Sequence, residues 1–197
     1  MPQQLDAHLA RLAASADALG LPCDAAALRA AVIAHRADAN SAHRLKITLQ
    51  HDGTPQLELA PLDAIAGDVF VLEHPTPLPD RDPLRRHKTT HRAHLDRIWQ
   101  AAVANGAFDA LLYNESGELL EGARSSVFLR IDGAWYTPPL ALDILPGIAR
   151  ARILAEPALI GATHIAEGRL RRGDVARAEK ILLVNSLRGI LTAHRIA

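Results

Sequence analysis

The chain has 197 residues, of which 49% are hydrophobic and 22% charged, and its formal net charge is zero. These values are typical of a globular protein with one or two compact lobes. Because no Lys/Arg-rich run is available to hold a phosphate backbone, we expect no nucleic-acid partner. The apolar stretches are too short to cross a bilayer and the N-terminus lacks a signal-peptide pattern, so we expect a soluble, cytoplasmic protein.

The first part of the chain predicts two helices followed by strands. Apolar residues recur at helical spacing over residues 5–19, and Gly20 is a typical residue to end such a helix. Asp24 is predicted to cap the second helix. Over residues 45–73 the hydrophobic period changes to two, with a tight turn at Asp52-Gly53, which predicts a small antiparallel sheet.

Four prolines between His74 and Arg85 make that segment unsuitable for a helix or a strand ladder. The domain boundary is therefore predicted there. We expect a small N-terminal lobe over residues 1–74, an interdomain linker over residues 75–86 and a larger lobe over residues 87–197.

The larger lobe is rich in strand signals. A helix is predicted over residues 95–102, and turn residues at 114–117 and 132–133 separate short apolar strands. A second helix begins near Gly147. The run at residues 181–184 is apolar on both faces, which predicts a buried strand. The whole pattern indicates the α+β class.

Three segments carry residue types suited to chemistry: one around Lys88, one around Glu121, and one that leads from Thr137 to Arg150. In this order and spacing they resemble the class IV pyridoxal-phosphate aminotransferases, the family of branched-chain and D-amino acid aminotransferases and aminodeoxychorismate lyase. The positions that fit the family pattern are Glu121, Ala123, Val127, Phe128, Thr137, Leu145, Gly147, Ile148 and Arg150. Ser126 stands where Asn is usual, and Trp135 where an aliphatic residue is usual.

The resemblance covers nearly the whole chain. It implies a two-lobe fold-type IV enzyme, similar to D-amino acid aminotransferase, that binds pyridoxal 5'-phosphate, acts on a small amino-acid-like substrate and forms a homodimer. Family members usually carry an opening β segment before the first helix, whereas this chain starts at that helix. We therefore expect one of three explanations. The small α/β lobe is truncated at its start, a neighbouring subunit supplies the missing β segment, or the gene starts farther upstream.

Lys88 is the predicted catalytic residue. An amine is needed to form an imine with the cofactor aldehyde, and other cations nearby favour its neutral form. Lys88 is flanked by His87, His91 and Arg92. The resemblance identifies Lys88 as the Schiff-base lysine, and a solvated surface lysine is the alternative.

Glu121 is predicted to bind the cofactor ring. It follows two leucines in a predicted strand, where a buried carboxylate without a partner would be costly, so a cationic partner is expected. The resemblance supplies the protonated pyridine nitrogen of the cofactor. An exposed strand glutamate, or a pair with Arg124, is the alternative.

The cofactor phosphate requires hydrogen-bond donors. The third segment opens a helix whose free backbone N–H groups suit a phosphate, so the amides of Ile148 and Ala149 are the first candidates. The resemblance adds Arg11 on the first helix and Ser186 near the end of the chain as phosphate ligands. It also places an amide or hydroxyl of Ser125 near the ring.

The local sequence favours aminodeoxychorismate lyase, which releases pyruvate and 4-aminobenzoate in folate biosynthesis. Residues 88–92 and 185–189 resemble the lyase domain that is fused to aminodeoxychorismate synthase in some bacteria. Ala93 stands where branched-chain aminotransferases have a tyrosine. An aminotransferase for branched-chain or D-amino acids and a catalytically degenerate, partner-binding module remain as alternatives.

Three histidines, His87, His91 and His94, are spaced three and four residues apart and could share a helix face. That spacing would suit a metal site if further ligands joined them. The sequence offers no convincing remote ligand set. We therefore expect histidines on a helix surface and no metal.

Overall fold

A computed structural model of the chain describes residues 4–35 and 41–196, and the chain divides into two compact units, Met1–Ile65 and Ala66–Ala197. The first unit contains two helices and one antiparallel hairpin. These elements are α1 (Leu5–Ala18), α2 (Ala25–Ala34), β1 (His43–Leu49) and β2 (Pro55–Pro61).

The first unit has its own apolar core. The core consists of Leu5 and Leu9 from α1 and Leu28 and Val32 from α2, against which apolar side chains of the hairpin pack. Asp24 begins α2 as predicted, because its side chain accepts hydrogen bonds from two backbone N–H groups of the first turn. The two helices and the hairpin predicted for this part of the chain are therefore confirmed.

The second unit forms an eight-stranded sheet with helices, in the strand order β5-β4-β3-β10-β9-β6-β7-β8. Its strands are β3 (Val69–Glu73), β4 (Asp109–Tyr113), β5 (Leu119–Gly122), β6 (Ser126–Ile131), β7 (Ala134–Thr137), β8 (Ile165–Glu167), β9 (Lys180–Asn185) and β10 (Gly189–Arg195). Its α-helices are α3 (Ala93–Ala104), α4 (Ile148–Ala155) and α5 (Arg172–Arg177). Strand β3 runs parallel to β4 and β10, and β7 runs parallel to β8.

Strand β3 departs from the sequence prediction in two ways. The alternation over residues 45–73 predicted that it would join the small antiparallel sheet, but β3 pairs with β4 and β10 of the large sheet. The compact units accordingly divide between Ile65 and Ala66, upstream of the predicted boundary after residue 74. The proline-rich stretch that was predicted to be a linker lies inside the second unit, where residues 83–86 form a short 3-10 helix.

The sheet is covered by apolar clusters. One cluster packs Ile98 and Ala102 of α3 against Leu112 and Leu120 of the sheet. Another joins Ile153 of α4 to apolar side chains of β6, β7, β8 and β9. The prediction of a buried strand over residues 181–184 is confirmed, because all four side chains are buried.

Several chain segments meet at one end of the sheet. Strand β5 ends at Gly122, and β6 begins only a few residues later at Ser126. Ser126 pairs with Val184 near the end of β9, because these two strands are antiparallel. Polar side chains at the ends of β5 and β9 and at the start of β6 are therefore brought to the same end of the sheet.

Within residues 4–35 and 41–196, no helix is long and apolar enough to span a membrane.

Candidate functional site

The turn between β5 and β6 is closed by backbone hydrogen bonds and by one buried carboxylate. The N–H of Gly122 donates to the carbonyl of Ser125 over 2.7 Å. Asp109, which is fully buried at the start of β4, accepts a hydrogen bond from the backbone N–H of Arg124, with 3.1 Å between N and Oδ2. The residues that follow Glu121 are thus held in a fixed conformation.

Glu121 lies in β5 directly before this turn, and its side chain is partly buried. Its Oε1 accepts a hydrogen bond from the backbone N–H of Leu145, with a distance of 3.2 Å. Burial raises the pKa of Glu121 to about 8, and the negative charge of Asp109 acts in the same direction. The hydrogen bond from Leu145 and the positive charges of Arg85 and Lys88 oppose the rise. Glu121 therefore sits where a carboxylate needs a cationic partner.

Lys88 lies in the loop between the short 3-10 helix and α3, and it is exposed. Contacts on both sides hold this loop in place. On one side, Arg86 pairs with the buried Asp143, with 2.6 Å between Nε and Oδ1. On the other side, Arg92 donates to the carbonyl of Ala123 over 2.9 Å. The Lys88 loop is therefore fixed beside the turn that follows Glu121.

Arg85 adds a buried cation next to this loop. Its guanidinium donates to the carbonyls of Pro79 and Asp80 at 2.6 and 3.2 Å and to that of Leu142 at 3.4 Å. These bonds tie the proline-rich stretch to the segment before α4. The positive charge lies close enough to Glu121 to lower its pKa.

Lysines are rare in this chain, and their placement separates Lys88 from the others. The sequence contains three: Lys46, Lys88 and Lys180. Lys46 pairs with Glu58 across the hairpin of the first unit, with 3.1 Å between Nζ and Oε1. Lys180 begins β9, at the opposite end of that strand from Asn185. Of the three, Lys88 alone acts on Glu121 by its charge.

Helix α4 begins next to the same turn. A Cβ added to Gly147 would lie 2.6 Å from Ser126 Oγ, so the helix start approaches β6 as closely as glycine allows. Among the described residues, no side chain caps the first N–H groups of α4. These N–H groups and the positive end of the helix dipole are suited to an anionic oxygen. Ile148 and Ala149 supply the first two of these amides.

The turn after β9 is organised by Asn185. Its Oδ1 accepts hydrogen bonds from the backbone N–H groups of Leu187 and Arg188, at 3.1 and 2.8 Å. Its Nδ2 donates to the hydroxyl of Ser125 over 3.4 Å. Ser186 lies within this turn and is exposed. The turn after β9 is thereby joined to the turn after β5.

Most of the residues predicted for the site thus lie on connected segments of the second unit. Glu121 is bonded to the segment before α4, Ser125 is bonded to Asn185, and Arg92 links the Lys88 loop to the Glu121 turn. The predicted ligands in these segments are Lys88, Glu121, Ser125, Ile148, Ala149 and Ser186. Arg11 lies in α1 of the first unit, where it is partly buried and where burial lowers its pKa; its predicted role stays a prediction.

Two sequence alternatives can be compared with the structure. Arg124 does not take Glu121 as its ion-pair partner: it binds Asp96 over 3.2 Å and lies 3.5 Å over the ring of Trp99. The expectation of three histidines on a helix surface holds for His94 alone, because His87 and His91 precede α3. In the described part of the chain, no group of three or more His, Cys, Asp or Glu residues could hold a metal ion.

Sequence reasoning missed Asp109 and Arg85 of the site, and it used Asn185 only as part of the 185–189 motif, without predicting its role. Asp109 stands immediately before the apolar run of β4, and Asn185 immediately after that of β9. A polar residue at the end of a fully buried strand is the signal that could have indicated both. Arg85 lies in the proline-rich stretch, where no periodic pattern distinguishes a buried arginine from a solvated one.

These residues fit the pyridoxal phosphate that the sequence predicts. The uncapped start of α4 offers donors for a phosphate, and the partly buried Glu121 offers a carboxylate for a protonated ring nitrogen. Lys88 offers an accessible amine on an anchored loop beside Glu121. The fit rests on the raised pKa of the partly buried Glu121 carboxyl group, which a further cation would lower, and on the close approach of Gly147 to Ser126 at the start of α4.

Comparisons with known proteins identify the family of the chain. The sequence model of the family described as "Amino-transferase class IV" matches residues 1–196. The chain is 26% identical over 191 residues to a curated protein of Schizosaccharomyces pombe named "Putative aminodeoxychorismate lyase", covering 94% of this chain and 81% of that protein.

Two solved structures are also similar. One, titled "Putative amino-acid aminotransferase" from Mesorhizobium loti, is 30% identical with a TM-score of 0.86 and covers 97% of this chain and 91% of its own. The other is a "hypothetical aminotransferase" from Mycobacterium tuberculosis in its "alpha-ketoglutarate and PMP bound form". It is 26% identical with a TM-score of 0.80, covering 98% of this chain and 75% of its own.

Proposed function

The chain belongs to the class IV aminotransferase family, and we propose that within this family it is a 4-amino-4-deoxychorismate lyase. The family is dependent on pyridoxal phosphate, so the chain is a pyridoxal-phosphate enzyme of fold type IV. The observation that supports the lyase is the match to the lyase-named Schizosaccharomyces pombe protein along 94% of the chain. The sequence at residues 185–189 and Ala93 in place of a tyrosine agree with it.

The roles of the site residues follow from their positions. The cofactor, when bound, supplies an electron-accepting ring that stabilises negative charge on the neighbouring substrate carbon. We assign Lys88 as the residue that holds the cofactor and then takes the proton from the carbon that bears the substrate amine. Glu121 would supply a negative charge for the ring nitrogen. Since Lys88 lies on a loop anchored by Arg86 and Arg92, its amine is returned to the same place after each turnover.

The phosphate is assigned to the start of α4. The backbone N–H groups of Ile148 and Ala149 would donate to it, and Ser186 would contribute its hydroxyl from the turn that Asn185 organises. Ser125 lies between these segments and donates from its amide or hydroxyl near the ring. Arg11 is proposed as a further phosphate ligand on the family resemblance alone.

In the lyase reaction, removal of the proton by Lys88 starts the loss of the enolpyruvyl group from the substrate. The carbon–oxygen bond to that group breaks with its electron pair going to oxygen, the released enolpyruvate takes up a proton to become pyruvate, and the substrate ring becomes the aromatic 4-aminobenzoate. The product belongs to folate biosynthesis. No keto-acid acceptor is consumed, because the amine stays on the product. That stoichiometry separates a lyase from an aminotransferase.

An aminotransferase acting on branched-chain or D-amino acids is the second candidate. The similarity to the Mesorhizobium loti structure, which is 30% identical and covers 91% of that chain, favours it, since that protein is titled an amino-acid aminotransferase. The same Lys88 would take and then donate the proton in this reaction. The second half of the reaction would then require a keto acid.

One assay distinguishes the two reactions. The purified chain is loaded with pyridoxal phosphate and incubated with 4-amino-4-deoxychorismate in the absence of any keto acid. We expect equimolar pyruvate and 4-aminobenzoate, and Lys88→Ala should release neither. If a new amino acid forms only when a keto acid and an amino donor are supplied, the chain is an aminotransferase and the lyase proposal is wrong. A chain that holds cofactor but forms no product in either assay would contradict both and leave a partner-binding module.

We also propose that the chain works as a homodimer, which the family resemblance implies. Light scattering of the cofactor-loaded protein should give twice the monomer mass of 21.2 kDa. A monomer that is fully active would contradict this assembly.

A further inference from the structure

Asp109 carries a buried carboxylate that none of the roles above employs. It lies at the start of β4 with no exposed surface. Its Oδ1 accepts a hydrogen bond from the backbone N–H of Ala110 over 2.8 Å, and its Oδ2 accepts one from Arg124 over 3.1 Å. The Ser125 hydroxyl and the N–H of Ala123 also face this carboxylate. Asp109 therefore ties the turn between β5 and β6 to the start of β4 through its bond from Arg124.

Gly122 shows how closely the turn approaches Asp109. A Cβ at residue 122 would lie 2.6 Å from Asp109 Oδ2 and 3.1 Å from its Cγ. Any side chain there would separate the turn from the carboxylate. Because Gly122 directly follows Glu121, the Asp109 carboxylate packs against the backbone that carries Glu121.

Charges on three elements face Glu121. Arg85 comes from the 3-10 helix, Lys88 from the loop after it, and Asp109 from β4. Asp109 is the negative charge of this group. Burial raises the pKa of Asp109 itself to about 6, although its backbone hydrogen bonds act in the opposite direction. Glu121 and Asp109 thus form a pair of carboxyl groups, both of which resist ionisation in the absence of a further cation.

We propose that Asp109 is a positioning residue for Glu121: it fixes the turn that carries Glu121 and keeps a negative charge beside it, so that the pair retains a proton until a cation reaches Glu121. The inference rests on the proposed role of Glu121 opposite a cationic ring nitrogen. Uptake of the cofactor near neutral pH is then accompanied by loss of this proton from the pair. Asp109 acts through Glu121 and the turn and does not itself touch the reacting atoms.

Infrared titration of the full chain tests the proposal. The carbonyl band of the protonated Glu121 carboxyl group is identified as the band lost in Glu121→Gln, and its pH midpoint is measured with and without pyridoxal phosphate. In Asp109→Asn, which keeps the shape but removes the charge, we expect the cofactor-free midpoint to fall by about one pH unit. In the unaltered chain, addition of cofactor should remove the band at neutral pH. A midpoint that is unchanged in a folded Asp109→Asn would overturn the proposal.

Asp132→Asn is the matched control. Asp132 lies in the turn between β6 and β7 with an exposed side chain and a φ of 49°, a conformation that asparagine tolerates. Its substitution removes one surface charge, so the Glu121 midpoint should not move. A shift equal to that of Asp109→Asn would indicate a general charge effect and would also overturn the proposal.

If the Asp109→Asn chain does not fold, a second measurement on the unaltered chain tests the proposal. Carbon-13-labelled aspartate and glutamate carboxyl groups are titrated in the unaltered chain, where the Asp109 and Glu121 signals should each change in two coupled steps. Independent single steps would contradict the pairing. None of these titrations needs a substrate, so their failure leaves the lyase proposal intact, and a failed pyruvate assay leaves the pairing intact.

Discussion

The backbone N–H of Leu145 donates a hydrogen bond to the Glu121 carboxylate, with 3.2 Å between Leu145 N and Glu121 Oε1. This bond joins strand β5 to the segment that leads into α4. The carboxylate proposed for the ring nitrogen and the helix start proposed for the phosphate are therefore positioned by a shared contact. A disturbance at either place is expected to reach the other.

Substitution of Glu121 should change how stability depends on pH in the cofactor-free chain. Folding raises the Glu121 pKa from 4.5 to about 8, so the folded chain holds this proton more tightly than the unfolded chain does. The contribution of this proton to the free energy of unfolding is complete at low pH and is lost as the pH rises through about 8. Near pH 9, Glu121→Gln should exceed the original chain in free energy of unfolding by on the order of 2 kcal/mol, and near pH 4 the two should agree. Urea unfolding at both pH values measures this difference.

The exposed Glu115 provides the control for that experiment. Glu115→Gln should follow the pH dependence of the original chain. If Glu121→Gln also follows it, the Glu121 carboxyl group is not the source of the pH dependence.

Lys88→Ala should abolish covalent attachment of the cofactor. The visible absorbance of lysine-bound cofactor should disappear, while Lys180→Ala should retain it, since Lys180 begins β9 on the surface. After reduction with borohydride and proteolysis, mass spectrometry should find the cofactor on the peptide that contains Lys88. Label on Lys46 or Lys180, or an unchanged spectrum in Lys88→Ala, would remove Lys88 from the site.

Gly147→Ala should weaken cofactor binding through a steric contact. The new Cβ would lie 2.6 Å from Ser126 Oγ, which forces the start of α4 away from β6. We expect the Kd for pyridoxal phosphate to rise roughly tenfold, equal to about 1.4 kcal/mol. Fluorescence titration measures it.

Two further variants test whether the contact with Ser126, and not alanine in general, causes the loss of cofactor affinity. Adding Ser126→Ala removes the colliding hydroxyl and should recover part of the affinity in the double variant. Gly168→Ala is the control, because its Cβ would make an ordinary contact of 3.7 Å with Tyr136. No recovery in the double variant would mean that the contact with Ser126 does not limit the helix position.

Arg92→Ala should loosen the Lys88 loop. Arg92 donates to the Ala123 carbonyl over 2.9 Å and to Asp96 over 2.9 Å, so its loss removes the link between the loop and the turn. We expect roughly 1–2 kcal/mol less stability in urea and slower attachment of cofactor to Lys88. Arg97→Ala, at an exposed position in α3, the helix that follows Arg92, should change neither. Attachment at the original rate in Arg92→Ala would show that the loop does not depend on this bond.

The local pattern of the sequence predicted much of the fold, because it reports on short-range structure. The Asp24 cap and the doubly apolar run of β9 depend on neighbouring residues, and both are found as predicted. The segments around Lys88, Glu121 and residues 146–149 could be predicted as site segments because their residue types form contiguous motifs. The family prediction and the cofactor prediction that rested on these motifs are confirmed.

What the sequence did not reveal depends on contacts between distant segments. Alternation in β3 indicates a strand but contains no information on its partners, which are β4 and β10. The burial of Arg85 depends on the carbonyl of Leu142, 57 residues farther along the chain. The role proposed for Asp109 likewise depends on a turn 15 residues away, where Asp109 accepts a hydrogen bond from the backbone N–H of Arg124. No periodicity encodes these pairings.

Strand β10 has a consequence for the order of events during synthesis. In the described sheet it lies between β3 and β9, so it joins the part that contains β5 to the part that contains β6. Glu121 is on one part, whereas Ser126 and Asn185 are on the other. Until residues 189–195 have been synthesised, the two parts have no shared strand, so the proposed cofactor site is not complete. We therefore expect the chain to bind its cofactor only after residues 189–195 have emerged.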